Sequence, residues 1–166
     1  MKKRAVVAVV MGSDSDFDCM SGAVQLLEAF GIPYEARIMS AHRTPEKTAE
    51  FAKNAAARGL KVLIVGAGGA AHLPGVIASM SLLPTLGVPI PSTELGGVDA
   101  LLSIAQMPAG VPVGTLSIGA SGARNAALLA AEILALSDAG IRTALNKFRE
   151  EMKSSVDKKD AALRKQ

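Results

Sequence analysis

Two short segments bring together residues able to move a proton beside a bound phosphate. In Ser40-Ala41-His42-Arg43-Thr44-Pro45, a histidine and an arginine are adjacent. The proton of an imidazole is mobile near neutral pH, and a guanidinium fits a phosphate in paired, charge-assisted hydrogen bonds. Taken singly, an exposed His-Arg pair is an ordinary surface feature. In Gly12-Ser13-Asp14-Ser15-Asp16, the hydroxyls of Ser13 and Ser15 stand where a helix would begin. The free N–H groups of such a terminus bind an anion without a cation. Asp16 would repel a phosphate, so sugar hydroxyls or the helix terminus are its expected partners. Gly12 is read as allowing an unusual backbone angle. The segment lacks the Gly-Lys-Ser/Thr ending of a Walker loop, and capping alone would explain its residues equally well.

A third segment, Gly66-Ala67-Gly68-Gly69-Ala70-Ala71-His72-Leu73-Pro74-Gly75, formally matches the G-x-G-x-x-A dinucleotide fingerprint. The match is rejected. It follows a third strand, not a first, and no acid lies about twenty residues on, where a ribose-binding carboxylate belongs. Its small residues would instead let backbone approach a flat ligand. His72 is either a ligand contact or a structural histidine.

Other chemistries fail on inventory. Two histidines and one cysteine, Cys19, leave no zinc or iron ligand set and no intramolecular disulfide, so no metal is expected. A receiver domain needs an Asp where Val65-Gly66 stands, and Gly-x-Ser-x-Gly is absent. Aromatics are 3 % of the chain, which argues against a flavin site and against a base-stacking surface for nucleic acid.

The elements that must position these loops follow from periodicity. Val-rich or apolar runs predict strands over Arg4–Met11, Pro33–Met39, Leu60–Val65, Thr85–Val88 and Val113–Ile118. Helical spacing predicts Asp16–Phe30, a helix from the N-cap Thr44 and Pro45 to Arg58, Pro74–Leu82, Val98–Gln106, Ala123–Leu136 and Asp138–Met152. Strand–helix alternation implies one α/β domain over 1–166, a three-layer α/β/α sandwich around a flavodoxin-like five-stranded parallel sheet. Ligands bind such sheets outside the carboxyl ends of the strands, at the switch in strand order. All three loops fall at such ends.

The net charge of +3 is local. Lys147, Arg149, Lys153, Lys158, Lys159, Arg164 and Lys165 outnumber Glu150, Glu151, Asp157 and Asp160, while the chain before Asn146 is balanced. This segment reads as a solvated helix and a mobile tail over 155–166, with no nucleic-acid partner. No stretch reads as a membrane span or as a secretory leader. The windows Val62–Thr93 and Ala100–Ala123 hold no Asp, Glu, Lys or Arg, which suggests subunit contacts. Ala123, Ala126, Ala127, Ala130 and Ala131 form a small-residue helix face that fits either a subunit contact or the chain's own sheet.

Met-Gly-Ser-Asp-Ser-Asp (11–16), Ser-Ala-His-Arg-Thr-Pro (40–45), the 66–75 segment, Gln-Met-Pro (106–108), Pro-Val-Gly-Thr-Leu (112–116) and Asn-Ala-Ala-Leu-Leu-Ala (125–130) together resemble the bacterial PurE family. These are the N5-carboxyaminoimidazole ribonucleotide mutases of purine synthesis, and the likeness spans about residues 5–150. Phe17 departs from the family's usual Trp, and Ala100 and Ala105 stand where Ser and Val are common. The resemblance implies a cytoplasmic homo-octamer with sites at subunit junctions, a C-terminal helix extending to neighbouring subunits, and no cofactor. It implies His42 as the catalytic histidine. It implies substrate contacts at Ser13, Ser15, Asp16, Ser40, Ala41, Arg43, Gly68, Gly69, Ala70, His72 and Leu73. The 66–75 loop resembles the mutase branch rather than the CO2-dependent carboxylases, and its small residues suit a pocket closed over the imidazole. A nucleotide-binding module without turnover is the alternative from another class; a proton carrier at His42 argues against it.

Overall fold

A computed structural model describes residues 4–164. Five strands run parallel in the order β2-β1-β3-β4-β5: β1 Val7–Met11, β2 Tyr34–Ile38, β3 Val62–Gly68, β4 Thr85–Ile90 and β5 Gly114–Thr115. Six helices alternate with and follow them: α1 Phe17–Ala29, α2 Pro45–Asn54, α3 His72–Met80, α4 Val98–Ala105, α5 Ala120–Ala135 and α6 Ala139–Leu163. This is the doubly wound arrangement expected. The strand order reverses between β1 and β3, which pair side by side with Val9 opposite Ile64 and Met11 opposite Gly66.

Successive strand residues face opposite layers. Val7, Val9, Met11, Val62 and Ile64 bury against α1 and α5, while Ala8, Val10, Leu63, Val65 and Ala67 bury against α2, α3 and α4. Strands buried on both faces explain why β1 and β3 read as unbroken apolar runs rather than alternating ones. The small-residue face of α5 is covered within the chain: Ala123, Ala126, Ala127, Ala130 and Ala131 are fully buried beside α1 and the sheet. Of its two readings, the chain's own sheet is the partner.

Several boundaries differ from expectation. The first strand begins at Val7 rather than Arg4. A 3-10 turn over Asp14–Asp16 precedes α1. The fifth strand is two residues, Gly114–Thr115, rather than the run Val113–Ile118. The Leu116 and Gly119 N–H groups still donate to the Gly87 and Pro89 carbonyls at 2.9 Å, so the chain keeps following β4. Helix α2 stops at Asn54, and turns carry the chain to Gly59.

Helix α6 passes Met152 and continues through Leu163, so the segment expected as a tail is helical to that point; Lys165 and Gln166 lie outside the described residues. Asp138 starts α6 by accepting from the Gly140 and Ile141 N–H groups at 2.9 and 3.1 Å. Pairs one turn apart line its far half: Lys153–Glu150 at 2.6 Å and Arg164–Asp160 at 2.9 Å. Such exposed pairs each add a few tenths of a kcal/mol, roughly 0.2–0.5. Among the described residues, no helix is long and apolar enough to cross a membrane.

Candidate active site

The carboxyl ends of β1, β2 and β3 deliver the three loops to one cleft of about 440 Å³. Gly12, Ser13, Ser15 and Asp16 line one side, Ser40 to Arg43 another, and Ala67, Gly68 and Ala70 to Leu73 a third. Of the residues expected to contact a ligand, Gly69 alone is absent from this lining. Its backbone is left-handed, with φ +60°, so its place is in the turn rather than on the wall.

The first loop is stitched to itself. The Ser13 N–H donates to Asp16 Oδ2 at 3.0 Å, and Ser13 Oγ accepts from the Ser15 N–H at 3.4 Å, a reciprocal capping box. Ser15 Oγ donates to Ser13 Oγ at 3.0 Å, so the two hydroxyls face one opening. Burial pushes the Asp16 carboxyl above its ordinary range, against the Ser13 and Gly12 backbone N–H groups and the Arg43 guanidinium, which favour its charged form. The Ser13 hydroxyl and the Ser15 backbone hold Asp14 below that range. Gly12 does not take the unusual backbone angle expected of it. Its contribution is its carbonyl, which accepts from Arg43 Nη2 at 2.9 Å and draws the guanidinium across the switch point.

The second loop is a turn held by Ser40. Its Oγ accepts from the Arg43 N–H at 3.2 Å, and its carbonyl accepts from the Thr44 N–H at 2.9 Å. Thr44 was expected to cap α2, but its hydroxyl makes no cap bond. Instead Thr44 Oγ1 accepts from the Ser40 N–H at 2.9 Å and donates to the Ser40 carbonyl at 3.1 Å. The turn has used the group that would have capped the helix, leaving His42 and Arg43 exposed at its crest.

The third loop turns sharply after β3. The Ala71 N–H donates to the Gly68 carbonyl at 3.1 Å, and Ala71 has φ +47°, alone among the described non-glycine residues in being positive. A left-handed L-residue costs roughly 1–2 kcal/mol. The next residue, His72, opens α3, and its Nδ1 lies 2.8 Å from His42 Nε2. The rings meet edge to face, 4.9 Å between centroids. Of the two readings left open for His72, the structure places it against the other histidine at the mouth of the cleft.

Sequence reasoning missed Ser92, which follows β4 and lines the same cleft. A Cβ on Gly68 would collide with Ser92 Oγ, so a glycine is required there by close approach. The available signal was positional: β4 is a neighbour of β3, and Ser92 lies just past its carboxyl end. The pocket expected to be closed is open in a single chain, where His42, Arg43, Ala70 and His72 are exposed.

Fold and cleft together define a doubly wound α/β protein of flavodoxin-like topology, with its polar site at the first switch in strand order. The chain belongs to the AIR carboxylase family, whose model it matches over residues 6–155. It is similar to the N5-carboxyaminoimidazole ribonucleotide mutase of Haemophilus influenzae, at 56 % identity over 94 % of this chain and 95 % of that one. The mutase of Pyrococcus horikoshii is 52 % identical over 97 % of this chain and 90 % of that one. The crystal structure of Treponema denticola PurE superposes with a TM-score of 0.86 at 32 % identity, covering 96 % of this chain and 99 % of that one.

Proposed function

We propose that this chain is an N5-carboxyaminoimidazole ribonucleotide mutase of purine biosynthesis, moving a carboxylate from the exocyclic nitrogen to C4 of the imidazole. The observation that carries the reading is the His42–His72 contact at 2.8 Å in a cleft also lined by Arg43, Ser13 and Ser15. It supports a reading in which a proton carrier shares one cleft with a phosphate-binding surface.

The chemistry needs one group that gives and then accepts a proton. His42 protonates the carbamate nitrogen; the C–N bond breaks, its electron pair stays on nitrogen, and CO2 is released. The freed aminoimidazole is enamine-like at C4 and attacks the CO2 carbon, forming the C–C bond. The adduct then returns the C4 proton to His42 and the ring regains aromaticity. An imidazole suits both steps at neutral pH. Arg43, with Ser13, Ser15 and Ser40, holds the phosphate away from the reacting ring, and Asp16 takes the ribose hydroxyls. Ala41, Gly68, Ala70, His72 and Leu73 wall the ring. Gly69 acts through the turn it makes.

An open cleft would lose CO2, so closure is assigned to assembly and to substrate. A homo-octamer with sites at subunit junctions accounts for the exposed cleft and for the charge-free windows. The far half of α6, with Met152, Val156 and Leu163 exposed, is assigned to a neighbouring subunit. A stable monomer by light scattering at micromolar concentration would contradict the assembly. A lone Cys19, with no second cysteine in the chain to pair with, and the purine pathway support a cytoplasmic location.

The family model's own description favours a second reading, a carboxylase that takes aminoimidazole ribonucleotide and CO2 directly. Spectroscopic turnover of the carbamate nucleotide, compared with aminoimidazole ribonucleotide plus bicarbonate, decides between them.

A further inference from the structure

Helix α4 contributes nothing to the lining of the cleft, yet it grips the third loop from behind. The Ser103 hydroxyl donates to the Ala70 carbonyl, a bond between residues 33 apart in sequence. Helix α4 is itself anchored, because Ala100 and Ile104 are buried in the core under α3. Its first turn holds the neighbouring 92–97 segment as well: Thr93 Oγ1 donates to Asp99 Oδ2 at 2.7 Å, and the Leu95 N–H donates to Thr93 Oγ1 at 3.2 Å. That segment brings Ser92 against Gly68, at the start of the same loop.

The consequence lies in the peptide plane. The Ala70 carbonyl belongs to the peptide whose nitrogen is Ala71 N. Fixing that carbonyl fixes one side of the φ rotation of Ala71, the residue held at φ +47°. A strained backbone of this kind persists where its surroundings over-determine it. His72 is the next residue, so the direction in which it leaves Ala71 sets whether its ring reaches His42.

We propose that Ser103 is a positioning residue: its hydroxyl, by holding the Ala70 carbonyl, keeps Ala71 left-handed and His72 aimed at His42. The role rests on the proton-transfer reading of the cleft, but the geometry can be tested without it. In Ser103→Ala, the carbonyl loses its donor and the loop relaxes.

The test uses the full chain in two measurements. With histidine-selective isotope labelling and no substrate, a nuclear Overhauser contact between the His42 and His72 rings is expected in the wild type, lost in Ser103→Ala and restored in Ser103→Thr, which keeps the hydroxyl. In turnover of the carbamate nucleotide, Ser103→Ala should lose kcat by about ten- to a hundredfold, the scale of a small misplacement, with KM changed less than about threefold. Ser103→Thr should recover most of it. A ring contact that survives in Ser103→Ala overturns the proposal, as does an unchanged kcat. Loss of both contact and turnover in Ser103→Thr would show that packing, not the hydroxyl, is at work, and overturns it too. A wild type that shows the ring contact and its loss in Ser103→Ala but turns over no nucleotide would instead sink the functional reading and leave the clamp standing.

Discussion

His42 Nε2 and His72 Nδ1 stand 2.8 Å apart, so a single proton lies between the two rings. The tautomer of one therefore dictates that of the other. If His42 donates, the Nδ1 of its neutral ring is an acceptor and only the imidazolium carries a proton there to give; if His72 donates, His42 Nδ1 carries the proton of the neutral ring. Either way, the pair fixes which His42 nitrogen meets the substrate. His42→Asn keeps a polar side chain at the crest of the Ser40 turn, so the fold and product binding should survive. Turnover should fall by at least about a hundredfold, the usual scale for removing a general acid–base. Steady-state kinetics beside a product-binding titration check this, and near-normal turnover would remove His42 from the mechanism.

Arg43 is the cation drawn across the switch point by the Gly12 carbonyl. Arg43→Leu should raise KM while leaving the reacting ring's chemistry intact. A lost charge-assisted contact is worth about 1.5–3 kcal/mol, roughly a ten- to a hundredfold weaker binding. The informative control is a dephosphorylated analogue, whose affinity should hardly change. Equal affinity of wild type and variant for the nucleotide would refute the assignment.

A Cβ on Gly68 would meet the Ser92 side chain and lie 3.0 Å from the Ile90 carbonyl oxygen. Gly68→Ala should therefore cost about 1–3 kcal/mol of stability, the range of overpacking, and should lower turnover because the loop that carries His72 must shift. Thermal unfolding and kinetics on the same preparation measure both. A variant with unchanged melting temperature and unchanged kcat would show that Ser92 yields freely.

Asp16 supplies a pH dependence with a definite sign. Burial raises its folded-state pKa above the ordinary 3.8, so the folded protein binds a proton there more tightly than the unfolded chain does. Its contribution to stability is present below the ordinary value and is lost as pH rises through the folded value. Asp16→Asn keeps an oxygen to accept from the Ser13 N–H and removes the charge. The melting temperature of the wild type minus that of Asp16→Asn should fall as pH rises from below the ordinary 3.8 through the raised folded value. A difference that rises over that range would contradict the burial argument. Asp14, exposed and shifted down, works in the opposite sense but is common to both proteins.

The sheet was legible because β1 and β3 are buried on both faces and have only one way to read. The first and third loops were legible for the same reason, since they begin where those apolar runs stop; the second follows β2, whose Tyr34–Ile38 run is only half-buried to exposed. What the chain hides is which partner each polar group finds. Thr44 carries a cap signal, but its hydroxyl goes back to Ser40, four residues away. Ser92 and Ser103 sit in ordinary contexts, and their importance depends on Gly68 and Ala70, which only folding brings near. Ala71 has no sequence mark of a left-handed residue. Helix α6 was cut short at Met152 because its apolar spacing fades there, whereas paired charges continue it to Leu163.

The central claim is that CO2 is made and consumed inside one site without exchange. Its most direct test is turnover of the carbamate nucleotide without ATP or metal, in buffer whose dissolved carbon dioxide and bicarbonate carry the label. The account predicts rapid conversion, with little external label in the carboxylated product over the first turnovers. Full equilibration of label in those turnovers, or turnover only from aminoimidazole ribonucleotide plus CO2, would contradict it.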